Sequence, residues 1–199
     1  MKQASLILVC FIFLTGVAIA QETKWYIGAG YGMSDIDTGV SGLTGTASLD
    51  EDSSGFKIFG GFKFNEYFGL EIAYVDLGEA ELKGNNGDTF AIDGVAYNFT
   101  ANSVVITGEM ETIALEAVLF LPLEKITGND SYKLVTPFIK VGLHFWDAEY
   151  SVSASTLSKT TADDDGSDIV FGAGFNFNIV KNLSIRAEWE RFTADEDLD

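Results

Sequence analysis

The sequence predicts an all-β chain folded as an antiparallel, up-and-down transmembrane β-barrel of the eight-stranded type. Three observations carry this prediction. Seven segments alternate with a period of two, one face aromatic and aliphatic, the other glycine with single charges, which is the mark of a strand between two unlike surroundings. Each segment is about ten residues long, and ten residues tilted near 45° cross the roughly 25 Å apolar band of an outer membrane. The connections alternate between short and long, the asymmetry of barrels with short periplasmic turns and long outer loops.

The elements follow in chain order. Residues 24–34 place Trp25, Ile27, Ala29, Tyr31 and Met33 opposite Tyr26, Gly28, Gly30, Gly32 and Ser34. Residues 54–77 read as a hairpin turning at Asn65-Glu66. Phe56, Ile58, Phe62 and Phe64, then Phe68, Leu70, Ile72 and Tyr74, share one face, while Lys57, Lys63 and Glu71 fall on the other with the glycines. Residues 112–123 oppose Ile113, Leu115 and Leu119 to Thr112, Glu116 and Phe120. Residues 137–146 oppose Ile139, Val141, Leu143 and Phe145 to Lys140, Gly142, His144 and Trp146. Residues 169–178 oppose Phe171, Phe175 and Phe177 to Gly172, Gly174 and Asn176. Residues 183–192 oppose Leu183, Ile185, Ala187 and Trp189 to Arg186, Glu188 and Glu190. The long connections are 35–53, 79–111 and 147–168, all polar. Residues 90–107 are apolar and β-prone, and read as strand extensions above the membrane, with a separate small sheet as the alternative.

Residues 1–20 have the pattern of a cleaved secretory signal peptide: Lys2, an apolar run over 6–17, and Ala18-Ile19-Ala20 at the cleavage point. The remaining 179 residues, 21–199, form one domain without cysteine, so disulfides and thiolate sites are excluded. They carry 11 basic against 30 acidic side chains, which excludes nucleic acid as a partner. No later apolar run approaches the roughly 20 residues of a membrane-spanning helix.

A soluble lipocalin-like binder would alternate with its apolar face inward. Here the polar face is glycine-rich rather than crowded with Lys and Glu. The apolar face carries Trp25, Tyr31, Phe64, Phe68, Tyr74, Phe145 and Trp189 near strand ends, in the manner of interface belts. A one-residue slip would turn Lys57, Lys140 and Arg186 to lipid, at about 2–4 kcal/mol for each at the midplane.

With the strands placed, the chain resembles the transmembrane domain of the outer membrane protein A family, close to the porin-like small barrels of Gram-negative bacteria. The resemblance rests on KWYIGAGYG at 24–32, FGGFKFNEYFGLEIAYVDLG at 59–78, PFIKVGLHFWD at 137–147 and VFGAGFNFNIVKNLSIRAEWERF at 170–192. It implies an integral barrel of the bacterial outer membrane with periplasmic chain ends. The implied partners are membrane lipid and lipopolysaccharide, the outer-membrane assembly machinery, and surface ligands through the loops. Seven strands are visible where the family has eight. The sequence reaches TADEDLD where the last would begin, so the eighth is expected to be truncated.

An eight-stranded barrel is only wide enough for side chains to fill it. The expected interior charge network is Lys57, Lys63, Glu71, Glu116, Lys140, Arg186, Glu188 and Glu190. Glu71 and Arg186 are each the second inward residue from a short turn, on strands facing each other, so they are expected to pair across the lumen, with Lys140 satisfying Glu116. The resemblance implies that such a pair gates a pore, and that a second family pair is replaced by Val118 and Asn176. Against the gate stands a plugged interior whose charges satisfy one another. His144 has no strand serine beside it, so a catalytic group is not expected. Asp163, Asp164, Asp165, Gly166 and Asp168 lack the spacing of a twelve-residue calcium loop, and neither metal nor cofactor is expected. The function read from the sequence is a non-enzymatic outer-membrane barrel with a structural and surface-contact role and at most narrow small-solute permeation. The alternatives are a true diffusion porin, a lipid-modifying barrel enzyme and a soluble binder.

Overall fold

The computed structural model describes residues 8–14, 25–155, 157–180 and 182–194, with 8–14, 157 and 158 described as backbone alone. Its elements are β1 (Leu8–Leu14), β2 (Trp25–Asp35), β3 (Val40–Ser41), β4 (Ser48–Asp50), β5 (Asp52–Lys63), β6 (Phe68–Gly84), β7 (Thr89–Ile92), β8 (Val95–Asn98), β9 (Val104–Phe120), the short helix α1 (Leu123–Thr127), β10 (Val135–Ala154), β11 (Leu157–Val180) and β12 (Leu183–Phe192). Pairing runs antiparallel from β1 through β2, β5, β6, β9, β10, β11 and β12 and returns to β1. Eight strands therefore close a ring, which leaves no sheet edge along most of its circumference.

Alternation is preserved around this ring. Ile72, Leu115, Val141 and Ile169 are each more than half exposed, while Val75, Ala114, Glu116 and Glu190 are fully buried. An outer wall of exposed aliphatic and aromatic side chains is what a bilayer accepts and water does not. Of the expected interface aromatics, Trp25, Tyr31, Phe64, Phe68 and Phe145 are exposed. Tyr74 and Trp189 are half-buried, packed on Phe56 and Phe171 respectively.

Turns at one end are tight. Asn65 Oδ1 accepts hydrogen bonds from the amides of Tyr67 and Phe68 at 2.8 and 2.9 Å, an Asx turn that fixes the β5–β6 register. The connection over 121–134 contains α1, ended by Gly128 in the left-handed region.

In the unprocessed chain the position between β12 and β2, where a truncated eighth strand is expected, is filled. It is held by Leu8–Leu14, the core of the segment that reads as a leader; the cleavage point Ala18-Ile19-Ala20 lies outside the described residues. A continuous apolar run has no period of two, so alternation does not identify it as a strand. It pairs with residues 31–35 of β2 and 185–190 of β12. Residues 25–30 of β2 have no strand partner on that side among the described residues.

At the opposite end the connections are long and ordered. The 79–111 segment is both a set of strand extensions and a separate sheet: β6 and β9 run on to Gly84 and Val104, and β3, β7 and β8 form their own sheet. β7 and β8 turn through Asp93 and Gly94, both at positive φ, the two-residue type I′ hairpin. Leu82, Phe90, Phe99 and Val104 form a small core beneath this cap, with Val40, Ala47 and Leu49 against it. Asp88 ties the first long loop to the second. Its carboxylate accepts from the Thr46 hydroxyl at 2.7 Å, the Asn85 amide at 2.9 Å and the Thr46 amide at 3.2 Å.

Two outcomes follow from this arrangement. Cys10 lies directly opposite Met33 across β1 and β2, at the separation a disulfide requires. In the unprocessed chain, mild oxidation of Met33→Cys is expected to give a Cys10 cross-link on a non-reducing gel, and Ile27→Cys, beyond the end of β1, is expected to give none. The second outcome concerns pH. The Thr46 hydroxyl, then the backbone amides, hold the Asp88 carboxyl below the ordinary carboxylate range. A depressed pKa stabilises the cap above the unfolded value near 3.9 and is lost as pH falls through the folded value. Protection of the Thr46 and Asn85 amides, taken relative to their intrinsic exchange rates, should therefore fall only below about pH 4, and Asp88→Asn should show reduced protection at neutral pH.

Candidate functional site

The narrow interior decides which inward residues can be large. A Cβ on Gly61 would lie 2.1 Å from the Tyr26 ring, and one on Gly172 would lie 2.9 Å from Glu190 and 3.1 Å from Lys140. Glycine on the inner face therefore makes room for the long polar side chains of neighbouring strands. Those side chains meet at mid-barrel. Lys57 of β5, Glu71 of β6, Glu116 of β9, Lys140 of β10, and Arg186, Glu188 and Glu190 of β12 are all buried.

Glu71 and Arg186 face each other across the ring. The Arg186 Nη1 donates to Glu71 Oε2 at 2.8 Å, and the Tyr26 hydroxyl donates to the same oxygen at 2.9 Å. Arg186 Nε donates to Asn176 Oδ1 at 3.0 Å. Its guanidinium also lies 4.3 Å from the Phe59 ring centroid and 4.7 Å from that of Phe138, within cation–π range of both rings. Lys140 is the hub. Its ammonium reaches Glu188 at 2.9 Å, Glu116 at 3.2 Å and Glu71 at 3.4 Å, and also contacts Glu190. Lys57 holds Glu190 at 2.6 Å and Glu188 at 3.0 Å. Seven of the eight expected interior charges thus form one connected network. Lys63 is the exception: it stands apart at the short-turn mouth, over the rings of Phe120 and Tyr26.

Buried charges survive only when paired and hydrogen-bonded. Three cations here serve four carboxylates, and Glu116 Oε1 and Glu190 Oε2 have no hydrogen bond among the described residues. Apolar residues flank the network at both ends. Toward the short turns lie Val118, Phe120 and Phe138, with Tyr26 against them. Toward the long loops lie Leu77, Met110, Trp146, Val170 and Phe192. Alternation in the sequence shows that these residues point inward but not that they stack into layers, which depends on strand stagger. Val118 joins the lower apolar layer, and Asn176 serves Arg186.

His144 belongs to the upper layer. Its Nδ1 lies 2.9 Å from the Thr112 hydroxyl and its Nε2 lies 2.8 Å from the Thr193 carbonyl, with Phe192 edge-on to the ring at 5.2 Å. A carbonyl partner requires Nε2 to carry the proton, which leaves Nδ1 as acceptor. Fully buried and saturated, this histidine is positioned to pin the end of β12 rather than to meet a substrate. Among the described residues no group of acids, histidines or cysteines is arranged to hold a metal ion.

Removing one member of such a network leaves its partners charged and buried, at a cost of about 3–5 kcal/mol. Arg186→Ala is expected to destabilise the refolded barrel by that amount in urea titrations in lipid vesicles. Replacing Glu71 and Arg186 together with Gln and Met should cost less than the two single changes summed, and simple additivity would show the pair to be uncoupled.

Comparison with known proteins agrees with this architecture. The sequence pattern of the family described as OmpA-like transmembrane domain matches residues 20–197. Outer membrane protein A of Shigella flexneri and that of Salmonella typhi are each 27% identical over 174 residues, covering 87% of this chain and 42% of the relative. The chain therefore spans less than half the length of these curated relatives. Among solved structures, Ail, the attachment invasion locus protein of Yersinia pestis, aligns over 98% of this chain and 100% of its own at 11% identity and a TM-score of 0.37. OprG from Pseudomonas aeruginosa aligns over 96% and 94% at 9% identity and a TM-score of 0.28. The match over nearly the whole chain, on a closed ring with a lipid-type exterior and a charged interior, makes this chain a member of the OmpA-like transmembrane domain family, an integral β-barrel of the bacterial outer membrane.

Proposed function

We propose that the chain is a non-enzymatic, structural barrel with its long loops outside the cell, working through contacts at its outer surface rather than through transport. The observation that carries this reading is the filled interior. A charge network flanked by two apolar layers constricts the lumen, which supports permeation that is at most narrow. A catalytic role finds no support in His144, whose two nitrogens are both engaged inside the upper layer.

The outer surface supports the contact role. The three long connections, 35–53, 79–111 and 147–168, hold seventeen acidic and two basic residues. Strand register gathers many of them into rows. Asp76, Glu111, Asp147 and Asp165 lie directly opposite one another across β6, β9, β10 and β11, and one step higher so do Glu79, Glu109, Glu149 and Asp163. Directly opposed like charges destabilise a sheet. These rows lie one step beyond Tyr74, Ile113 and Phe145 of the apolar face, and on this reading would meet phosphate-bearing headgroups. Divalent cations shared between carboxylates and lipopolysaccharide phosphates would relieve the repulsion, and cationic surface ligands would be favoured over anionic ones.

Two measurements test this reading. Vesicles containing the protein are expected not to swell in small sugars, and swelling would assign a diffusion porin. Arg186→Ala is expected to leave single-channel conductance at its basal level, because both apolar layers remain. Stepwise openings in that variant would assign a gate to the Glu71–Arg186 pair.

A further inference from the structure

Lys63 is the interior charge that the central network does not use. It ends β5 at the short-turn mouth, and among the described residues it has no ion pair. Its ammonium lies 4.1 Å from the Phe120 ring centroid and 5.8 Å from that of Tyr26. Aromatic faces offset part of the cost of a half-buried cation but leave its charge in place. Beside it lies a cavity of about 90 Å³ lined by Lys63, Arg186, Asn176, Asn178, Thr136 and Ser184, with the Tyr26 and Phe120 rings as walls. No acidic residue lines it. The Arg186 charge is matched by Glu71. Asn176 turns its carbonyl oxygen to Arg186, which fixes the amide orientation and leaves its nitrogen as a donor.

We propose that this mouth is a binding site for a small oxyanion, with Lys63 as the charge partner and the Asn176 amide as a directional donor. Size supports it. A cavity of about 90 Å³ has room for more than one water and so for an anion of the size of phosphate or a carboxylate. Charge supports it too. In a chain of formal net charge −18, the cavity lining gathers cationic and neutral donor groups and no carboxylate, so an anion entering it meets attraction. Inorganic phosphate and the carboxylate of a periplasmic polypeptide share this chemistry.

The experiment is a titration of the full isotope-labelled chain in detergent micelles with inorganic phosphate at constant ionic strength, following the Asn176 side-chain amide and the Lys63 backbone amide by NMR. Saturable shifts are expected. Lys63→Gln should weaken the midpoint at least tenfold, and Lys63→Arg should hold it within a few-fold. Lys125→Gln, at an exposed lysine of the same end paired with Glu66, should leave it unchanged. Acetate then separates the sources. Displacement of phosphate by acetate assigns the site to carboxylates, and phosphate held against excess acetate assigns it to phosphate. Shifts that grow linearly without saturation, or a midpoint that is the same in Lys63→Gln, would overturn the proposal.

Discussion

A ring of eight strands is only wide enough for side chains to fill it, and here many of those side chains are charged. Every inward position must be filled by a side chain from one strand while a neighbour yields space. Gly61 yields to Tyr26 and Gly172 to Lys140 and Glu190. The charges admitted in this way can remain only if they meet partners, because lipid outside offers no alternative solvation. From that constraint follow the connected network, the Arg186 set against aromatic rings and the apolar layers that flank it at each end.

The architecture was largely legible in the sequence because two unlike faces leave a period of two along every strand, and the glycine-rich polar face with its aromatic-belted partner says which face is outside. Counting inward residues from a turn was enough to bring Glu71 to Arg186, since register in a barrel converts chain position into height. The hub role of Lys140 was less legible. Four carboxylates reach it from three strands, and which of them a flexible ammonium meets depends on stagger around the ring. The same holds for Phe120, Phe138, Trp146 and Phe192, whose inward parity is visible but whose layering is not. Leu8–Leu14 could not be read as a strand because its apolar run has no alternation and matches a leader pattern equally well. The loop sheet was hidden for a different reason: β3, β7 and β8 are two to four residues long, below the length at which periodicity carries information.

The two ends of the barrel are chemically unlike. One presents rows of opposed carboxylates beneath a small packed cap, the other a donor-lined mouth around Lys63. A cation layer at the first and an oxyanion at the second would each neutralise what the fold leaves uncompensated. Neither depends on passage through the middle, which is consistent with a barrel whose work is done at its surfaces.

The assignment of faces can be tested with the chain's own tryptophans. Trp25 is 68% exposed on the outer wall and Trp146 is 6% exposed in the upper inner layer. In vesicles of brominated lipid, a variant keeping Trp25 alone should be strongly quenched, and one keeping Trp146 alone should keep its fluorescence. Quenching of Trp146 by the lipid, with Trp25 reached instead by aqueous iodide, would mean that the sheet is inside out.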